Sequence, residues 1–203
     1  MTGSELIKSV GKSLFSDFDL QEKIIAEIYP KIYNNFLQFF DEKNTSKGIA
    51  VIGDIGVGKS VCMRVMQKIF KDTSAKFVYK RAKDITDLLD EYSLSEIKAM
   101  YGSGLSYNLY IDDIGLGSPT TNNYGNITNV IAEILLDRYE VYKSSGLKTH
   151  FSSNKPTSLD KIKYPNIITL KDMYGDRVMD RVYEMCNIYL WQGKSLRRAN
   201  NYE

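Results

Sequence analysis

The chain has 203 residues, 43% of them hydrophobic and 26% charged, with a formal net charge of +2. A chain of this length buries roughly 70% of its unfolded surface and needs no covalent staples, and its composition is that of an ordinary globular protein. The charge is too small to argue for nucleic-acid binding by itself, the one histidine, His150, argues against a zinc site, and the lack of a hydrophobic leader or an apolar run of membrane-spanning length leads us to expect a cytoplasmic protein, neither secreted nor membrane-spanning, with no membrane partner.

Residues 1–17 form a weakly amphipathic lead. A helix is expected over Asp19–Tyr29, and Pro30, which suits a first helical turn, opens a second that turns Ile32, Tyr33, Phe36, Phe39 and Phe40 inward. After the polar turn "DEKNTSKG" the pattern alternates. "IAVIG" reads as a strand, Lys59–Phe70 as a helix with Val61, Val65 and Ile69 on one face, and "KFVYKR" as a second strand. Asp84–Tyr101 reads as one helix, "SYNLYIDD" as a strand ending on acids, and "GLGSPTTNNYGN" as a polar loop. Ile127–Lys143 is an expected helix, "LKTHFSSN" a strand, Met173–Cys186 a helix and "NIYLWQG" a last strand. Cys62 and Cys186 fall inside apolar-periodic segments and are expected as buried thiols of a reducing compartment. The alternation implies a mostly parallel sheet covered on both faces, an α/β three-layer sandwich. Residues 1–45 are read as a helical lead-in and 46–203 as one domain, with no separate lid after the last strand.

Between the first of these strands and its helix lies "GDIGVGKS", which fits G-x-x-x-x-G-K-[ST] at Gly53, Gly58, Lys59 and Ser60. The physical reading is a phosphate cradle. Glycines let the backbone wrap with N–H groups turned inward, and the helix points its positive end at the anion. The expected nucleotide contacts are Gly53, Asp54, Ile55, Gly56, Val57, Gly58, Lys59, Ser60 and Val61. Lys59 would reach the β- and γ-phosphates of ATP, and Ser60 would ligate Mg²⁺.

"LYIDDIG" puts Asp112 and Asp113 at the C-terminal end of a buried strand, the edge at which open α/β sheets bind ligands. Asp112 is the expected second holder of Mg²⁺, and Asp113 the residue that orients or deprotonates the attacking water.

The joint order of "GDIGVGKS", "LYIDDIG", "LDRYE", "HFSSN" and "YGDRVMDR…WQGKSLR" resembles the AAA+ ATPases of the bacterial helicase-loader family, the DnaC/DnaI type, with the IstB transposition helper as a close relative. The resemblance covers about residues 45–198. It implies a P-loop ATPase of DNA replication, with a replicative helicase and single-stranded DNA as partners and a homo-oligomer formed on ATP or DNA. It also implies that Asn154 is a sensor holding the attacking water or the γ-phosphate, and that Arg177 or Arg181, with some preference for Arg181, is an arginine finger reaching a neighbouring subunit's nucleotide. Arg138 matches a family position too, or else is a helix-surface charge paired with Asp137 or Glu140; Arg197 is a weaker match. Two residues depart from the family pattern. The second strand-end acid is Asp113 rather than the usual Glu, and Gly117 stands where many relatives carry an acid, so slow hydrolysis is expected.

Lys68, Lys71, Lys76, Lys80, Arg81 and Lys83 form a basic cluster with Phe77 and Tyr79 interleaved, the ingredients of a single-strand groove, although strand alternation must turn part of the set inward. Against the assembly ATPase stand a transposition helper, a small-molecule kinase and a nucleotide-binding adaptor without turnover. The consecutive strand-end acids and the late arginines favour the assembly ATPase.

Overall fold

A computed structural model describes residues 46–116, 121–123, 126–159 and 162–195, with the backbone alone at 121–123 and 126–128. The lead-in helices, Gly117 and Arg197 lie outside the described residues. Five parallel strands form the central sheet in the order β2-β3-β6-β1-β7. They are β1 (Gly48–Gly53), β2 (Phe77–Arg81), β3 (Asn108–Ile114), β6 (Thr149–Ser153) and β7 (Cys186–Trp191). The expected parallel sheet is therefore present, and its outer strands are β2 and β7.

Period-two alternation sorts the strand residues onto two faces. On one, Ala50, Ile52, Leu109, Ile111, Phe151 and Cys186 pack with helices α4 (Val130–Ser145) and α6 (Asp176–Met185) through Ile134, Leu135, Val178 and Val182. On the other, Ile49, Val51, Phe77, Tyr110 and Trp191 pack with α1 (Lys59–Ile69) through Cys62, Met63, Val65 and Met66. The buried stripe of α1 is thus centred on Cys62, Val65 and Met66, whereas Val61 and Ile69 flank it. Both cysteines are free and buried, and burial pushes the Cys186 thiol up to about 12.

Three expected elements come out divided. The helix expected over 84–101 is α2 (Ala82–Asp87), a short 3-10 turn at Leu88–Asp90 and α3 (Leu94–Tyr101). The break is set by Ser93, which caps α3 in a reciprocal box with Glu96. The helix expected over 173–186 is α5 (Leu170–Tyr174) and α6, parted by Gly175 at φ 83. The polar loop after β3 contains an antiparallel pair, β4 (Thr121–Asn123) with β5 (Asn126–Thr128). No helix among the described residues is long and apolar enough to cross a membrane.

Strand β6 breaks the rule that buried parallel strands are apolar. "THFSS" is buried throughout, and each polar side chain has a partner, as buried polar groups require. Thr149 Oγ1 accepts from Arg138 Nε at 2.9 Å, His150 Nδ1 accepts from the Ile49 N–H at 3.2 Å, and Ser153 Oγ donates to Ile114 O at 2.7 Å. Ser152 reaches the acids of β3.

Candidate functional site

Because the sheet is parallel, β1, β3 and β6 all end at one edge, and each of the expected motifs lies at that end of its strand or just after it. The loop after β1 is shaped by close approach and by handedness. A side chain on Gly53 would meet Trp191 O at 1.8 Å, so only glycine lets β1 lie against β7 there. Gly58 caps α1 at φ 95, a left-handed conformation that side-chain-bearing residues adopt at a cost. Val57 is buried in the core beneath the loop while Ile55 is exposed at its crest.

Lys59 is only 5% exposed. Its ammonium donates to Gly53 O and Asp54 O, both at 2.8 Å, and to Asn154 Oδ1 at 2.5 Å. The three acceptors come from the cradle itself and from the end of β6, so two motifs 95 residues apart in sequence meet on one cation. A γ-phosphate entering the cradle would compete for these same protons, which is the geometry of a lysine and an amide that share one oxygen-rich ligand.

Asp112 is 3% exposed and accepts from hydroxyls on every side. Its Oδ1 accepts from Ser60 at 3.0 Å, Tyr110 at 2.8 Å and Ser152 at 2.5 Å, and its Oδ2 from Tyr79. The strand pattern explains the convergence. Tyr110 and Asp112 are two apart on β3 and share a face, Tyr79 is the register partner of Tyr110 on β2, and Ser152 stands alongside on β6. Burial, and then the neighbouring Asp112 charge, raise the Tyr110 phenol well above its ordinary value. Burial and the hydrogen bond to Asp112 do the same for Tyr79. Both therefore stay protonated donors across the physiological range.

Asp113, half-buried, is the one described residue other than glycine with a positive φ, at 56°. Ladder register shifts between Ile111 and Ile114, the mark of a β-bulge. The Asp113 N–H leaves the ladder and donates to Ser152 Oγ at 3.0 Å. Ser152 thus binds the side chain of one acid and the backbone of the next.

The expected arginines separate into three situations. Arg138 is buried and pairs with neither Asp137 nor Glu140, contrary to the surface expectation. Its guanidinium donates to Leu105 O, Tyr107 O, Lys148 O and Thr149 Oγ1 at 2.9 to 3.2 Å. These groups precede or begin β3 and β6, at the end of the sheet opposite the cradle, and Asp137 turns instead to Lys98 at 3.0 Å. Desolvation lowers the Arg138 guanidinium to about 10. Arg181 is half-buried, with its guanidinium 5.0 Å above the Tyr139 ring. Arg177 is exposed in the first turn of α6, and its side chain makes no hydrogen bond or ion pair with the described residues.

Within the basic cluster, the two aromatic side chains are engaged in the fold, as strand alternation implied for part of the set. Phe77 is buried against Tyr110 and His150, and Tyr79 is committed to Asp112. Arg81 pairs with Asp84 and Lys83 with Asp87, while Lys76 and Lys80 lie over the rings of Tyr107 and Tyr101. Sequence reading missed Tyr79, Tyr110 and Ser152 as site residues. Their signal was the strand alternation, which places all of them on the face of Asp112.

No protein-family profile matches the chain, and no curated protein matches it in sequence. Similar solved structures exist. A candidate primosome component from Streptococcus pyogenes serotype M3 superposes with a TM-score of 0.54 at 20% identity, over 85% of this chain and 84% of that one. DnaI superposes with a TM-score of 0.52 at 16% identity, over 96% and 94%. The DnaC helicase loader aligns more loosely, with a TM-score of 0.47 at 17% identity, over 86% and 91%. At these identities the likeness is one of fold, and the fold is the α/β P-loop arrangement expected from the motifs.

Proposed function

We propose that this chain binds ATP with Mg²⁺ and hydrolyses it slowly, as an assembly factor that helps place a replicative helicase on DNA. One observation carries the reading. Lys59 bonded to Asn154, and Ser60 bonded to Asp112, bring the start of α1, the end of β3 and the residue after β6 together at one edge of a parallel sheet, through hydrogen bonds of 3.0 Å or less. The fold shared with a candidate primosome component supports the choice of replication over transposition or small-molecule transfer.

The donor set suits a magnesium nucleotide. One carboxylate and one hydroxyl, Asp112 and Ser60, are hard oxygen donors of the kind Mg²⁺ takes alongside phosphate oxygens and water. When bound, the ion would neutralise charge developing on the phosphates. The chain's own groups do the rest. Inward N–H groups of residues 54–60 and the Lys59 ammonium hold the phosphates, and Asn154 orients the γ end. Asp113, held at the bulge by Ser152, takes a proton from the attacking water. None of the side chains bonded to Asp112 is an arginine. An arginine finger would then come from a second copy. Arg177, exposed and uncommitted, fits that role better than Arg181, which is packed on Tyr139.

A pulldown of the host's replicative helicase with this chain, with and without ATP, tests the reading. Nucleotide-dependent capture that disappears in Lys59→Ala is the expected outcome. Capture of a transposase instead, or turnover of ATP only with a small acceptor, would overturn it.

A further inference from the structure

Beyond the residues that hold nucleotide and metal, we propose that Tyr79 on the outer strand β2 is a positioning residue of the metal site, fixing through its phenol the carboxylate oxygen of Asp112 that serves the cation. This inference rests on the magnesium-nucleotide reading above.

The two oxygens of Asp112 are not equivalent. A carboxylate offers about two acceptor sites on each oxygen. Oδ1 already accepts from Ser60, Tyr110 and Ser152, which is more than its share. Oδ2 accepts from Tyr79. When Ser60 turns to a cation it leaves Oδ1, and Tyr110 and Ser152 still fill that oxygen. The coordination capacity of Asp112, for the ion or for a water on it, therefore lies on Oδ2, beside the Tyr79 phenol.

Tyr79 is well held for such a task. Its ring lies 5.0 Å from that of Tyr110 and beneath the Arg64 guanidinium at 5.1 Å. The ring thus contacts a neighbour on β3 and another on α1, and its hydroxyl reaches Asp112 Oδ2. Groups that hydrogen-bond a metal-ligating carboxylate fix its orientation, and losing one typically weakens metal affinity about 10- to 100-fold.

The test compares the wild type with Tyr79→Phe, which removes one oxygen and leaves the ring on Tyr110, so that folding is not at stake. Binding of a fluorescent ATP analogue is measured in excess chelator and then along a Mg²⁺ titration, with the thermal midpoint recorded for each protein. In chelator the two proteins should bind the analogue within about twofold of each other. The Mg²⁺ concentration giving half of the metal-dependent gain should rise about tenfold in Tyr79→Phe. Arg64→Ala, which loosens the ring but keeps the hydroxyl, should shift that half-point by less than Tyr79→Phe does. A half-point unchanged in Tyr79→Phe overturns the proposal while leaving the nucleotide reading intact. So does an equal loss of affinity in chelator, which marks a merely structural role. A wild type whose nucleotide binding ignores Mg²⁺ removes the reading beneath it and the proposal with it.

Discussion

Asp113 shows most plainly how a single residue is set against its own backbone preference. Its φ of 56° lies where an L side chain crowds the following carbonyl, a penalty Asp bears better than most residues. The conformation persists because Ser152 takes the Asp113 N–H and Asp112 takes the Ser152 hydroxyl. Strain kept at the proposed water-activating position by surrounding hydrogen bonds is common where function needs a fixed geometry. Asp113→Gly should therefore gain about 0.5–1 kcal/mol in urea unfolding while ATP turnover falls to background. A loss of stability in that variant would show that the bulge is not strained. His150 makes a second prediction at this scale. Burial, and then the charges of Lys148 and Arg138, push its imidazole down to about 3. Its folded value is below the unfolded one, so the neutral ring favours the fold fully above about pH 6.5. That contribution is lost as pH falls through the window from about 6.5 toward about 3. As the chain has one histidine, its imidazole resonance can be followed alone, and it should not titrate between pH 8 and 5 while the protein stays folded.

At the scale of elements, the strands and the cradle were legible because each leaves a local signature. Apolar runs bounded by turns mark β1, β3 and β7, and glycine spacing with a lysine and serine marks the loop after β1. The helix breaks were harder to read. Leu88, Leu89 and Ile97 keep a helical period across the 3-10 turn, so periodicity ran on where Ser93 and Glu96 start a new cap. Gly175 parts α5 from α6 through its backbone angle alone. Of the site, Lys59, Ser60, Asp112 and Asn154 were legible by motif and order, and the structure brings them together. The hydroxyls around Asp112 were not, because Tyr79 and Ser152 become its neighbours only once β2 and β6 flank β3. Of the two readings left open for Arg138, the helix-surface charge fails for a related reason. An arginine in a charged helical stretch looks solvated, yet here it fastens the segments entering β3 and β6 by satisfying backbone carbonyls. Arg138→Met should keep most of the volume but orphan those acceptors, lowering stability by about 3 kcal/mol in urea unfolding. Nucleotide affinity of the folded fraction should not change, since the contacts lie at the far end of the sheet.

For the whole molecule, the proposed function makes this arrangement half of a reaction centre. The cradle, the acids and Asn154 gather at one sheet edge, whereas α6 displays Arg177 to solvent and folds Arg181 onto Tyr139 of α4. A finger supplied across an interface is worth about 10³–10⁵ in rate in phosphoryl-transfer switches, so turnover should be slow in dilute protein and rise on assembly. The most direct measurement of this claim mixes two inactive variants. Lys59→Ala removes the cradle's cation and Arg177→Ala the proposed finger, and neither alone should hydrolyse ATP above background under assembling conditions. Mixed in equal amounts, they should recover a substantial part of wild-type turnover, because an intact cradle on one copy then meets an intact arginine on the next. A mixture no more active than its components, or an Arg177→Ala protein that turns over ATP at the wild-type rate, would contradict a site shared between copies.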